Sequence, residues 1–384
     1  MIVIFLSYIF LFVISFLFTR KKINIYFFIV SLTFGIIAFF FVPDVSFDLY
    51  RHYAIIDIFR QYGWNMGVSN SEFPSLIIAN GFLYLISFLP TKGFLPAITA
   101  FVTYYLLLNI IYKVAIRYDL AKKDILLAAF FFVSTLNYLG LISGIRNSLA
   151  FAIFTYFLYM DLVENRNKIL CWIMYILLCF LHLSVLILLL FRIIVQFNNK
   201  FIRIIVMFFS LTWSLFLVNI VDIISRFSNL KIFYEFQQKI QIYGIDHQYN
   251  TYSYSVAVPI IILIGVLITY IFFLHINKNK YIEMKVYFNY ITLIITFCIG
   301  CINYYRLIVT FVSMLCFLSV TFIALLNRSN ILKGKVKKID NFNTMYKIKI
   351  RWTNCIFTLI IIGISMYSMF IYFKYQYSAV IFKI

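Results

Sequence analysis

Two arginines stand alone in otherwise neutral stretches, Arg146 in Gly144-Ile145-Arg146-Asn147 and Arg306 in Asn303-Tyr304-Tyr305-Arg306. A guanidinium presents a planar fork of donors that meets phosphate oxygens two at a time, so this pair suits the grip of a diphosphate. His182 is a further ionisable group, and Ser184 two residues later is placed to cap a following helix. A third group is Asp48-Leu49-Tyr50-Arg51-His52-Tyr53, with Asp44, Asp57 and Glu72 nearby. It supplies carboxylates that can accept a proton and aromatic faces that can lie against sugars. Each group also has a plainer reading: an arginine snorkelling to water, a satisfied structural histidine, and a solvated loop anchored by interfacial tyrosines. Walker A, G-x-G-x-x-G, H-E-x-x-H and D-x-D motifs are absent from the sequence. That argues against a nucleotide-driven pump and a metal-dependent nucleotide-sugar transferase. The six cysteines sit in apolar runs and read as packing residues, and no cluster of acids or histidines has ligand spacing. No metal or cofactor is expected.

The elements that must position these groups follow from composition. Hydrophobic residues make up 64% of the 384 positions and charged residues 12%. A soluble domain carries roughly 25% charged residues, so a water-soluble enzyme, a disordered chain and a secreted disulfide scaffold are excluded. The chain reads as a single all-α polytopic integral membrane domain over 1–384. Apolar runs lie at 2–18, 24–42, 93–116, 124–142, 145–163, 168–195, 204–224, 256–275, 286–303, 306–326 and 352–373. His182 and Ser184 interrupt 168–195, which is split into a broken pair, 168–181 and 184–195. About 12 transmembrane helices result. The run 75–89, bounded by Pro74 and Pro90, is short for a span and is expected to be a re-entrant or interfacial helix. The first 18 residues lack a preceding basic region and a small-residue cleavage site, so they are expected to form a span and not a signal peptide.

The net charge of +20 is explained by topology. If 75–89 does not cross, 23 of the 33 Lys and Arg residues fall in inside loops and 10 outside, a positive-inside bias that orients both termini outward. A nucleic-acid partner is therefore not expected. The outside loops are about 43–92 and 225–255, the second rich in Tyr, Asn and Gln, and 327–351 is a basic cytoplasmic loop. Arg146 and Arg306 then fall in the first turns of helices whose positive dipole ends face outward. A cation is disfavoured there unless an anion lies between, and diphosphate fits best.

These segments resemble the EpsG-like and Wzy-type polysaccharide polymerases of bacterial membranes. Val45-Ser46-Phe47-Asp48-Leu49-Tyr50-Arg51-His52-Tyr53 looks like the family's D-Y-x-x-Y segment, and Ser71-Glu72-Phe73-Pro74 resembles its F-E-P-G-type turn with the order shifted. Gly144-Ile145-Arg146-Asn147-Ser148-Leu149-Ala150 looks like G-I-R-Q-x-L-A with Asn for Gln. Phe180-Leu181-His182-Leu183-Ser184-Val185-Leu186 resembles F-H-x-S-A-L, and Tyr305-Arg306 fits a late arginine. The resemblance implies a metal-independent glycosyltransferase. It would join undecaprenyl-diphosphate-linked oligosaccharide repeat units at the outer face of the bacterial inner membrane, making O-antigen, capsule or exopolysaccharide. Partners would be those lipid-linked oligosaccharides, the lipid bilayer and a chain-length regulator. Arg146, Arg306 and Arg51 would stabilise the departing diphosphate, with Asp48 or His182 as the proton acceptor. Tyr50, Tyr53, Glu72, Ser184, Tyr304 and Tyr305 would line the substrate. An O-antigen ligase and a lipid-linked oligosaccharide flippase remain open alternatives.

Overall fold

A computed structural model describes residues 2–197, 199–211, 223, 226, 282–300, 358, 359, 361–373, 381 and 382. The described chain is mostly helical, beginning with α1 (Ile2–Ser15), α2 (Ile23–Phe39), α3 (Asp48–Ser69), α4 (Ile77–Ser87), α5 (Phe94–Arg117) and α6 (Lys122–Thr135). There follow α7 (Tyr138–Ser143), α8 (Ile145–Tyr159), a π-helical turn at Met160–Glu164, α9 (Lys168–Cys179), α10 (Val185–Gln196), α11 (Lys200–Leu211), α12 (Ile282–Gly300) and α13 (Ile361–Phe373). Among the described residues, two helices, Arg20–Phe39 and Phe94–Arg117, are long and apolar enough to cross a membrane by length and composition. The expected spans at 256–275 and 306–326, the loop at 327–351 and all of 225–255 but residue 226 lie outside the described residues, as do parts of 204–224, 286–303 and 352–373.

The centre of the fold is the α2–α5 pair. Gly35 permits their close approach: a Cβ there would stand 3.1 Å from Phe101 Cβ and 3.2 Å from the Ala97 carbonyl. Phe34 of α2 stacks on Tyr104 of α5 at 4.4 Å, and the Tyr138 hydroxyl donates to the Phe34 carbonyl at 2.7 Å. That bond ties α7 to the pair and fixes where α8 begins. Outward, α1, α9, α10 and α11 present large apolar side chains, with Phe12 60%, Ile169 79%, Leu190 55% and Phe201 69% exposed. Burial of apolar area is the main drive to fold in water.

Three boundaries differ from those expected. The run 124–142 is not one helix. Leu136 leaves the helix in an extended conformation, and Asn137 caps α7 by accepting the Gly140 N–H at 3.0 Å. The broken pair is present, but as 168–179 and 185–196. The segment 48–69, placed within the first outside loop, is helical. Its buried residues Leu49, His52, Ile56 and Phe59 recur at helical spacing, and it folds back at Gly63, where φ is +75° and ψ −170°. Only glycine holds that conformation without strain. The run 75–89 does form a short helix, α4, of 11 residues. It packs on α3, with Arg60 donating to the Ser87 and Leu89 carbonyls at 2.9 and 2.6 Å and Lys92 pairing with Asp57 at 2.7 Å.

A further difference concerns Arg192, one of the 23 cations counted in inside loops. It lies within α10 and is buried, its Nε donating to Asp161 Oδ2 at 2.6 Å. Such a residue does not report topology.

Candidate functional site

The first turn of α8 carries Arg146, as expected. Gly144 precedes it, and Ser148 Oγ donates to the Leu141 carbonyl at 2.9 Å, holding the α7–α8 corner closed. The guanidinium is mostly covered (18% exposed) and pairs with Glu72 Oε2 at 3.0 Å, while the glutamate is half exposed (51%). Its other face lies on the Phe73 ring, 5.1 Å from the centroid. The anion at this positive helix end is thus the chain's own Glu72. The Glu72–Pro74 turn is in turn held by Asn80, buried in α4, whose amide donates to the carbonyls of Phe73 at 3.2 Å and Pro74 at 3.4 Å. Beside Arg146, Asn147 Oδ1 is buried and has no hydrogen-bond partner among the described residues.

The same corner meets the α9–α10 junction. The Ala79 N–H, one of the donors left over at the start of α4, donates to the Phe180 carbonyl at 3.4 Å. Phe151 of α8 packs edge-on against His182 at 5.9 Å. Ser184 occupies the residue before α10, but its side chain makes no capping bond. Instead its backbone N–H donates to His182 Nδ1 at 3.2 Å. The reason is local: Ser184 is already in helical φ/ψ, and the first-turn N–H groups of Val185, Leu186 and Ile187 donate to the carbonyls of His182, Leu183 and Ser184. With Nδ1 accepting, a neutral His182 carries its proton on Nε2 and offers a donor there, not a lone pair.

Asp48 opens α3, where a carboxylate is favoured by the helix dipole. It pairs with Arg51 one turn on. Tyr50 is exposed, and Tyr53 is half-buried with Lys92 Nζ 5.4 Å from its ring centroid. Burial pushes the Tyr53 phenol well above its ordinary range, so it stays protonated. Glu72, Arg146 and the His182 junction are therefore brought together by direct contacts or through one neighbour. Arg306, Tyr304 and Tyr305 lie outside the described residues.

Sequence reasoning missed three members of this corner: Phe73, Asn80 and His52 as a buried group. Asn80 was legible as the single polar amide inside an apolar run. His52 was legible from the helical spacing of Leu49, His52 and Ile56. Burial, followed by the charges of Arg146 and Arg51, holds the His52 imidazole well below its ordinary range. It is neutral in the folded protein and protonates in the unfolded chain below a pH of about 6.5. Its contribution to stability is full above that pH and declines as the pH falls, because the unfolded state then binds more protons. Thermal unfolding in detergent is expected to show a lower midpoint at pH 5 than at pH 7.5, and His52→Phe to reduce the difference. An unchanged difference would mean that other groups set the slope.

The chain matches no family model, no curated protein and no solved structure.

Proposed function

We propose that this chain is a polytopic membrane glycosyltransferase of about twelve spans, with both termini outside, that joins polyprenyl-diphosphate-linked oligosaccharide units at the outer face of a bacterial inner membrane. The observation that carries the reading is Arg146: a mostly covered guanidinium in the first turn of α8, balanced by a half-exposed carboxylate that a more highly charged anion can displace. Two phosphates of a lipid diphosphate outcompete one carboxylate for that fork electrostatically. Antiparallel pairing of Phe41 with Phe382 and Val42 with Ile381 supports the proposed topology, because it puts the C-terminal segment at the same end as α3.

In the reaction, the bond from the anomeric carbon of the growing glycan to its diphosphate breaks, and a hydroxyl of the incoming unit forms the new glycosidic bond. The hydroxyl proton passes to a carboxylate, and the diphosphate leaves with the bonding electron pair. Arg146, with Arg306 and Arg51 as further cations, would stabilise the charge that develops on it. His182, as an Nε2–H donor, suits the leaving group better than the attacking hydroxyl, so Asp48 is the preferred base. Asn147 Oδ1 offers an acceptor for a sugar hydroxyl beside the guanidinium.

Deleting the gene in its source bacterium and sizing the glycans tests this. Loss of a polymerase leaves single repeats on the final acceptor. Long chains accumulating on the carrier lipid would make the protein a ligase, and carrier-linked units facing the cytoplasm would make it a flippase.

A further inference from the structure

Between α1, α2, α5 and α6 lies a cavity of about 430 Å³, within the usual range of small-molecule sites. Its walls are apolar, built from residues such as Tyr8, Phe12, Tyr26, Leu108, Leu127 and Val133. The charged residue on the lining is Lys123, at the start of α6. Lys123 and Val133 are ten residues apart on one helix, so the cavity extends along about 15 Å of α6 at ~1.5 Å per residue. That is about half of a ~30 Å hydrocarbon core, the depth of one leaflet's chains.

The mouth is basic. Lys122 Nζ donates to the carbonyl of Phe16, a lining residue, at 3.5 Å. Arg20, Lys21 and Lys22 form the turn that enters α2, four residues before Tyr26 on the cavity wall. Two acids face this group: Asp119, paired with Arg20 at 2.5 Å, and Asp124 beside Lys123. Five cations against two carboxylates leave the mouth positive. The flank of α1 away from the cavity is apolar and exposed at Leu6, Ile9, Phe10 and Val13.

We propose that this cavity holds one acyl chain of an anionic bilayer phospholipid, with the lipid phosphate at Lys123 and the chain running between α1 and α6 toward Val133. Apolar walls of single-leaflet length select a chain, and the surplus of positive charge at one end selects an anionic headgroup. The inference rests on the chain's residence in a membrane and not on its glycan chemistry.

Native mass spectrometry of the full-length protein, delipidated in detergent and titrated with dioleoyl-phosphatidylglycerol or dioleoyl-phosphatidylcholine, tests it. One phosphatidylglycerol should be retained about tenfold or more tightly than phosphatidylcholine, and inorganic phosphate should not displace it. Leu127→Trp should remove that lipid by filling the cavity. Lys122→Gln with Lys123→Gln should bring phosphatidylglycerol down to the phosphatidylcholine level, and this surface variant decides the matter if Leu127→Trp does not fold. Equal retention of the two lipids by the wild type, or undiminished phosphatidylglycerol in the lysine variant, would overturn the site. Release of the protein from membranes by alkaline carbonate would instead overturn the membrane reading beneath it.

Discussion

Arg146→Ala is expected to abolish long glycan chains while leaving expression and membrane insertion intact. If the guanidinium contributes what a donor in other preorganised anion sites does, about 3–4 kcal/mol of transition-state stabilisation, the rate of chain extension falls by ~10²–10³. Arg146→Lys should rescue poorly, because an ammonium is a point charge and lacks the planar two-bond grip. The Glu72 pair supplies a sharper test. Were the arginine there only to hold the Glu72–Pro74 turn against α8, the swapped variant Glu72→Arg with Arg146→Glu would restore the pair and much of the activity. A diphosphate grip behaves differently: the swap puts a carboxylate at the phosphate position and should be as inactive as Arg146→Ala. Glycan length from cells carrying each variant, read on a gel against a matched expression control, separates the two. Recovery of long chains in the swapped variant would assign Arg146 a purely structural role.

The reversal of emphasis at Arg146 shows what the sequence can and cannot carry. That an isolated arginine opens a helix next to Gly144 is legible from spacing, because glycine and the following apolar run mark the boundary. That its counter-ion is Glu72 is not, since 74 positions separate the two and the contact depends on how α4 folds back over the α9–α10 junction. The broken pair at 168–195 was legible because His182 and Ser184 interrupt an apolar run. The break at Asn137 was overlooked for the opposite reason: the flanking residues are apolar enough for a hydropathy window to pass over one amide, although Asn caps helices well. Helix α3 was hidden by its polarity. Hydropathy along it is low, and only the period of its buried stripe reveals it. Topology by charge counting met its limit at Arg192, where the residue is counted as a loop cation but serves as an interior one.

Arg192→Met is expected to give the largest loss of stability of any single change in the described chain, with Asp161→Leu close behind. The π-helical turn at Met160–Glu164 adds a residue per turn to the end of α8, and Asp161 in it is fully buried, facing α9 and α10. Its Oδ2 accepts from Arg192 Nε at 2.6 Å and from the Tyr175 hydroxyl at 3.1 Å, while the guanidinium lies on the Trp172 ring at 5.2 Å. Removing the arginine leaves a desolvated carboxylate with one phenol to satisfy it, and breaking a buried pair in this way costs about 3–5 kcal/mol. Removing the aspartate costs somewhat less, because the arginine keeps its aromatic contact and has a flexible stem on which to seek water. The attraction within the pair is largely offset by the desolvation of both charges, so Asp161→Leu with Arg192→Met together should melt near the wild type. Thermal unfolding followed by size-exclusion chromatography in detergent gives the three midpoints, and the double-mutant cycle isolates the coupling. Additive losses in the double variant would mean that each side chain is held by separate partners and that the pair does not act as a unit. Because the pair joins α8 to α10 through their shared neighbour α9, a well-folded double variant that also keeps normal glycan length would place the ion pair in the packing of these helices and leave the chemistry to the Arg146 corner.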